Sequence, residues 1–135
     1  MHLPAAPSDT QILDIIDAWI ADLARGDYAC AHARTAHDAY YGWTPALLRA
    51  VIEGYGSPEA YADGRVYQVT PAALASGAPH ARCVERPTGQ DGAAAIAEAR
   101  HSLPLNGAWS DLSATFRVEA TAPGATLVLQ DIHVF

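Results

Sequence analysis

The stretch AAAIAEARHSLPLNGAWSDLSATFRVEATAPGATLVLQDIHVF, residues 93–135, decides the fold. Three strand-like runs are separated there by Asn106-Gly107 and by Ala122-Pro123-Gly124. Asn-Gly is a strong two-residue hairpin signal, because a type I′ turn needs positive φ at both central positions. Taken literally, it pairs Leu103 with Ser110, His101 with Leu112, Ala99 with Ala114, Ala97 with Phe116 and Ala95 with Val118. Those pairs share one mostly apolar face, as a half-buried ladder requires. A two-residue loop at Pro123-Gly124 then sets Leu129 beside Val118, Asp131 beside Phe116, His133 beside Ala114 and Phe135 beside Leu112. On this register Asp131, His133 and His101 project into the face that helices must cover. An odd-length loop exchanges the faces of the last strand, whose two sides are both apolar enough to accept burial.

Helices precede this meander. Ser8 and Gln11 form a capping box ahead of Ile12, Ile15, Ile16, Trp19, Ile20 and Leu23, which recur at helical spacing. Asp14, Asp17 and Asp22 lie off that stripe. Gly26 ends the helix, and Asp27 caps a second one from Tyr28 to about His37. A third starts at Thr44 with Pro45 in its first turn and closes at Gly54. Arg65–Thr70 (RVYQVT) alternates as a short strand, and His80–Arg86 reads as another. Pro71–Pro79 fits either a helical turn or a loop, and Thr88–Gly92 turns the chain into the meander. Helices followed by an antiparallel sheet make one α+β domain over residues 1–135, with the helices on one face.

Composition narrows the function classes. The formal net charge is −7 and every basic residue is Arg. Nucleic-acid binding requires clustered cations to neutralise phosphates, and anionic lipid attracts the same clusters, so both partners are excluded. No apolar run approaches the ~20 residues of a membrane span. MHLPAAPSDT lacks the charged start and apolar core of a signal peptide, and the reading is a cytoplasmic protein. Cys30 and Cys83 have no metal-ligand spacing and read as reduced core thiols. His32, His37 and Asp38 lack the H-x-x-x-H or H-E-x-x-H form, so no metal is expected. No P-loop, dinucleotide fingerprint or Ser-His-Asp order is present, and no cofactor is implied.

The element order, with the Leu23-Ala24-Arg25-Gly26-Asp27-Tyr28 junction between the first two helices, resembles the NTF2-like α+β cone. That superfamily includes ketosteroid isomerase and SnoaL-type cyclases alongside many non-catalytic proteins. Leu103-Pro104-Leu105-Asn106-Gly107, Trp109-Ser110-Asp111-Leu112-Ser113-Ala114 and Asp131-Ile132-His133-Val134 are similar to strings of a bacterial NTF2-like family that brings fold rather than activity. The resemblance implies helices packed on a curved antiparallel sheet. In its enzymatic members an Asp or His inside the cone is a general base and an aromatic or acidic group polarises the substrate.

Asp131 and His133 are therefore the catalytic candidates if the protein is an enzyme, since an apolar wall shifts such groups toward working pH. The alternative reading has Asp131 capping a buried network with His133. His101, Phe116 and Leu112 would line the ligand space, with Ala95, Ala97 and Ala99 leaving room for a helix or a cavity. Tyr40, Trp43 and Tyr55 would close its mouth. Trp109, Asp111, Ile96, Ile132 and Val134 would lie on the outer face, where the apolar members suit a homodimer contact. Three functions fit: non-enzymatic binding of a small apolar molecule or a protein partner, cofactor-free lyase, isomerase or hydrolase chemistry, and an immunity protein steered to a basic toxin by its acidic charge.

Overall fold

The computed structural model describes residues 3–86 and 95–134. Helix α1 spans Asp9–Ala24, α2 Tyr28–Arg34 and α3 Pro45–Glu53, with a 3-10 turn at Ala72–Leu74. Strands are β1 Ala36–His37, β2 Arg82–Glu85, β3 Ala95–Leu105, β4 Ala108–Thr121 and β5 Gly124–Val134. They form one sheet in the order β1-β5-β4-β3-β2. All neighbours are antiparallel except β1, which runs parallel to β5 through Ala36–Val128 and His37–Leu129. The fold is α+β with a mixed, open sheet, and the wholly antiparallel expectation is corrected at that edge. Among the described residues no helix is long and apolar enough to cross a membrane.

Local chemistry explains the helices. Ser8 Oγ accepts from Gln11 N at 3.1 Å while Ser8 N donates to Gln11 Oε1 at 2.8 Å, so two free helix-end donors are satisfied reciprocally. Thr44 Oγ1 caps α3 at Leu47 N, and Gly54 closes it. A side chain at position 54 would place its Cβ 1.9 Å from the backbone oxygen of Ser57, so the turn would have to shift to admit one. The second helix stops at Arg34, three residues short of expectation. Thr35 is already extended there, and the chain leaves the helix to pair along the edge of β5.

The core lies between the helices and one face of the sheet. Ile12, Ile16, Trp19, Ile20 and Leu23 of α1 and Leu48 and Ile52 of α3 pack into one cluster with Ala97, Leu103, Leu112, Ala114, Phe116, Val118, Leu129 and Ile132. Trp19 stands edge-on to Phe116 with ring centroids 5.2 Å apart. Phe116 is the cross-strand partner of Ala99, whose small side chain makes room for the indole. The space left by Ala97 and Ala99 is thus occupied, while the side chain of Ala95 falls outside the described set.

Two bulges decide what each face carries. Asn106 and Gly107 have φ of 51° and 88°, as the two-residue turn requires. The pairing starts at Leu105–Ala108 but shifts by two between Pro104–Trp109 and Ser102–Ser113. Pro104 has no N–H to donate, so the ladder breaks there, and Ser110 Oγ donates to the Leu103 carbonyl at 2.8 Å. A shift of two preserves the face: His101 now opposes Ala114, Ala99 opposes Phe116 and Ala97 opposes Val118, all buried.

The second bulge has the opposite effect. The β4–β5 loop is Ala122-Pro123, joined by a cis peptide bond, and Val118–Leu127 and Phe116–Leu129 share the helix-covered face. One residue, Gln130, is then inserted before Thr115–Asp131. An insertion of one exchanges the faces. Asp131 and His133 consequently lie beside Thr115 and Ser113 on the sheet's far side, while Ile132, opposite Ala114, is buried under the helices. The expected inward direction of Asp131 and His133 is corrected by this single residue. Ile132 and Val134 leave the expected apolar outer patch with it, because the far side carries Glu98, Arg100, Thr115, Arg117, Asp131 and His133 instead.

Two smaller expectations also change. Arg65–Thr70 forms no strand, and only Val69 makes a bridge, to Leu105. Its neighbours Pro71 and Pro104 cannot donate, so a ladder has no way to propagate. Cys30 is exposed and Cys83 half-buried, so both thiols are free but neither is in the core. Asp22, which lies off the apolar stripe, is nonetheless fully buried, where it pairs with Arg25 and Arg34. The turn at Thr88–Gly92 and the position of Phe135 lie outside the described residues.

Candidate functional site

An open cavity of about 680 Å³ lies where α1, the 3-10 turn and the β3–β4 hairpin meet. Asp17, Ile20, Ala21, Ala24 and Arg25 of α1 form one wall. Their spacing is i, i+3, i+4, i+7, i+8, a second helix stripe beside the one that fills the core. Pro71, Ala72 and Ala73 form the facing wall, and Arg82, His101 and Trp109 come from the strands. Most of this surface is alanine, isoleucine, proline and indole, so the polar groups stand out by being few and convergent.

Those polar groups are connected end to end. His101 is 1% exposed. Its Nδ1 lies 2.7 Å from the Ser102 carbonyl oxygen, so that nitrogen carries the hydrogen and Nε2 holds a lone pair. Arg82 Nη1 donates to Nε2 at 2.8 Å. The same guanidinium donates to Asp17 Oδ1 at 2.6 Å and, through Nη2, to Oδ2 at 3.1 Å. Burial is the largest influence on His101 and holds its pKa below the ordinary 6.5. The Arg82 charge acts in the same direction, against the Ser102 hydrogen bond and the Asp17 charge. The imidazole is therefore neutral at pH 7, which is the form that accepts from arginine.

Trp109 closes the constellation. Its ring centroid is 5.8 Å from that of His101, and it separates the cavity from a shallower depression containing Tyr55, Tyr67, His80 and Asp111. The ring stands on this side, against its expected outward position, although Pro104 and Trp109 pair as the turn predicts.

Of the residues proposed from sequence, His101 alone lines this cavity. Phe116 and Leu112 are fully buried in the core. Tyr40 is 87% exposed beside Tyr41. Trp43 is buried and donates from its indole N–H to the Gln130 carbonyl at 3.0 Å, at the bulge itself. Tyr55 lies against Tyr67, the rings tilted by 39° with centroids 4.8 Å apart. None of these five closes the cavity mouth.

Asp131 and His133 do meet, on the far face. His133 Nδ1 is 2.6 Å from Asp131 Oδ2. Asp131 Oδ1 accepts from Ile132 N at 2.8 Å. The Asp131 charge is the main reason the Tyr41 phenol lies above its ordinary pKa. His133 opens on a smaller cleft of about 340 Å³ with Glu85, Glu98, Arg100 and Thr115. Cys83, Ala99, Phe116 and Gln130 complete its lining, so charged and apolar groups share the cleft.

His32 and His37 stack with centroids 3.8 Å apart. Their Nε2 atoms engage the carbonyls of Trp43 at 3.0 Å and His32 at 2.9 Å, which ties α2 to the loop before α3. Arg117 is likewise structural, bridging Asp38 and Glu119.

Sequence reasoning missed Asp17, Arg82 and the alanine wall. The stripe through Asp17, Ile20, Ala21 and Ala24 was a usable signal, since it borders the core stripe on the same helix. Arg82 had none, because its role depends on which strand end reaches α1. Fold and site together define an α+β protein with a one-sided apolar cavity and a fixed Asp–Arg–His chain. Comparison with protein-family models, curated proteins and solved structures found no match to this chain.

Proposed function

We propose that the chain is an NTF2-like protein that binds a small, largely apolar molecule, without catalysing its conversion, in the cavity beside α1. The observation that carries this reading is the apolar cavity of about 680 Å³ with its polar groups gathered in one hydrogen-bonded chain. That volume falls within the ~300–1,000 Å³ of small-molecule sites. The NTF2-like assignment is supported by the helices lying on one face of a sheet that ends in a long antiparallel meander.

Binding is favoured over chemistry by how the polar atoms are committed. Nδ1 of His101 is held by a backbone carbonyl and Nε2 by a guanidinium, so neither nitrogen is placed to move a substrate proton. Both Asp17 oxygens accept from Arg82. The groups are fixed in place, which suits orientation of a ligand.

The test is titration with the neutral fluorophore N-phenylnaphthylamine, whose emission rises in apolar surroundings. Saturable binding to the native chain is expected, and Ala21→Trp, which fills the cavity from a solvent-accessible helix position, should abolish it. Absence of saturable binding, or equal binding by the filled variant, overturns the proposal.

A further inference from the structure

We infer that the cavity selects a monocarboxylic acid with an apolar body, the carboxylate being taken by the unoccupied edge of Arg82. This rests on the cavity being a ligand site and adds the chemical class of the ligand. A guanidinium carries five N–H donors in a rigid planar fork. Arg82 spends three of them: two from Nη1, on Asp17 and His101, and one from Nη2, on Asp17. Nε–H and the remaining Nη2–H have no hydrogen-bond partner among the described residues. Those two donors are parallel neighbours, the pair that meets both oxygens of a carboxylate at once.

The guanidinium is held rigid for that purpose from two directions. Asp17 fixes one end, and His101, buried and neutral, accepts on the side away from the open edge. Neutral His101 does not compete with the ligand for the role of cation. Asp17 does not exhaust the charge of Arg82 either. Both side chains are nearly half exposed, at 47% and 40%, and solvent screens pairs of that kind heavily. The chain already shows one arginine serving two carboxylates: Arg117 donates from Nε to Glu119 and from Nη1 to Asp38. The net charge of −7 repels an anion at long range but is screened beyond ~8 Å at physiological salt.

The apolar walls set the body of the ligand. From Asp17 to Ala24 the helix rises about 10 Å at ~1.5 Å per residue. Ile20, Ala21 and Ala24 offer methyl surface along that length, and Trp109 offers a ring face. An acid of fused-ring or medium-chain size fills the slot with its carboxylate at Arg82.

The experiment compares naphthoate with naphthalenemethanol, the same body with and without charge, by isothermal titration calorimetry on the whole chain. Naphthoate should bind at least about tenfold more tightly, as a charge-assisted bidentate contact implies. Arg82→Gln should lower naphthoate affinity far more than naphthalenemethanol affinity, so that the preference disappears. Arg82→Lys, which keeps charge but not the fork, should retain only part of it. Circular dichroism spectra matching those of the native chain show that each variant is folded. Equal affinities for the two probes, or a preference that survives Arg82→Gln, overturn the carboxylate assignment and leave the cavity reading standing. Binding of N-phenylnaphthylamine without binding of naphthoate has the same consequence. Failure of all three probes overturns both.

Discussion

Replacing Asp22 with Asn removes a charge that α1 buries completely and that joins it to α2. The carboxylate accepts from Arg25 Nη2, from Arg34 Nε and, at 3.3 Å, from Arg34 Nη2. Breaking a buried ion pair by removing one partner costs ~3–5 kcal/mol when the other charge is stranded. Here the partners are not stranded, since Arg34 is 30% and Arg25 59% exposed. The Arg25 contact therefore counts for little. The asparagine also keeps one acceptor, so the expected loss is about 2–3 kcal/mol. At ~2.1 cal/mol/K per residue the unfolding entropy of a chain this long is about 0.28 kcal/mol/K, which converts the loss into a Tm lowered by about 7–11 °C. Thermal melts followed by circular dichroism at pH 7 measure it. Arg34→Met alone and combined with Asp22→Asn completes a double-mutant cycle, in which the two effects should be strongly sub-additive. A Tm change below about 2 °C, or simple additivity in the cycle, refutes the view that Asp22 and Arg34 clamp the two helices.

Two further outcomes follow from the same geometry. Burial holds His101 and His37 below their ordinary pKa, so the unfolded chain takes up protons first as pH falls below 6.5. Stability is then fully present above 6.5 and declines as pH drops toward the folded-state values; urea midpoints between pH 8 and 5 should show that slope, and His101→Gln should flatten part of it. Stability rising over that interval, or an unchanged slope in the variant, contradicts the assignment. Trp43→Phe removes the indole donor at the Gln130 carbonyl and should cost about 1–2 kcal/mol, with faster amide exchange at Gln130 and Asp131. Unaltered exchange there shows that the bulge does not depend on Trp43.

Much of the frame was legible because its signals are local. Ser8 and Gln11 announce α1 through atoms three residues apart, and the isoleucine stripe declares its buried side without reference to any partner. Asn106-Gly107 places a turn because only certain residues accept positive φ twice in succession. Pro45 and Gly54 bracket α3 for similar reasons. The face of β3 was readable too, since Ala97, Ala99 and His101 stay on the covered side even though the ladder slips by two at Pro104.

What local pattern could not supply was the count of residues between two distant points. The runs around Asp131 are apolar at both even and odd positions, so alternation there permits either orientation. The choice is made at Gln130, where Trp43, far away in the chain, donates to the extra carbonyl and Ile132 gains burial against the helices. That insertion sends Asp131 and His133 to the solvated side and leaves His101 alone among the expected polar groups within. Residue order alone settles the α+β class, the helix that fills the core and the covered face of β3, because each follows from neighbours within a few residues. Long-range packing settles the direction of Asp131 and His133 and the meeting of Asp17, Arg82, His101 and Trp109, because those depend on bulges and strand ends whose energies are set by contacts across the whole chain.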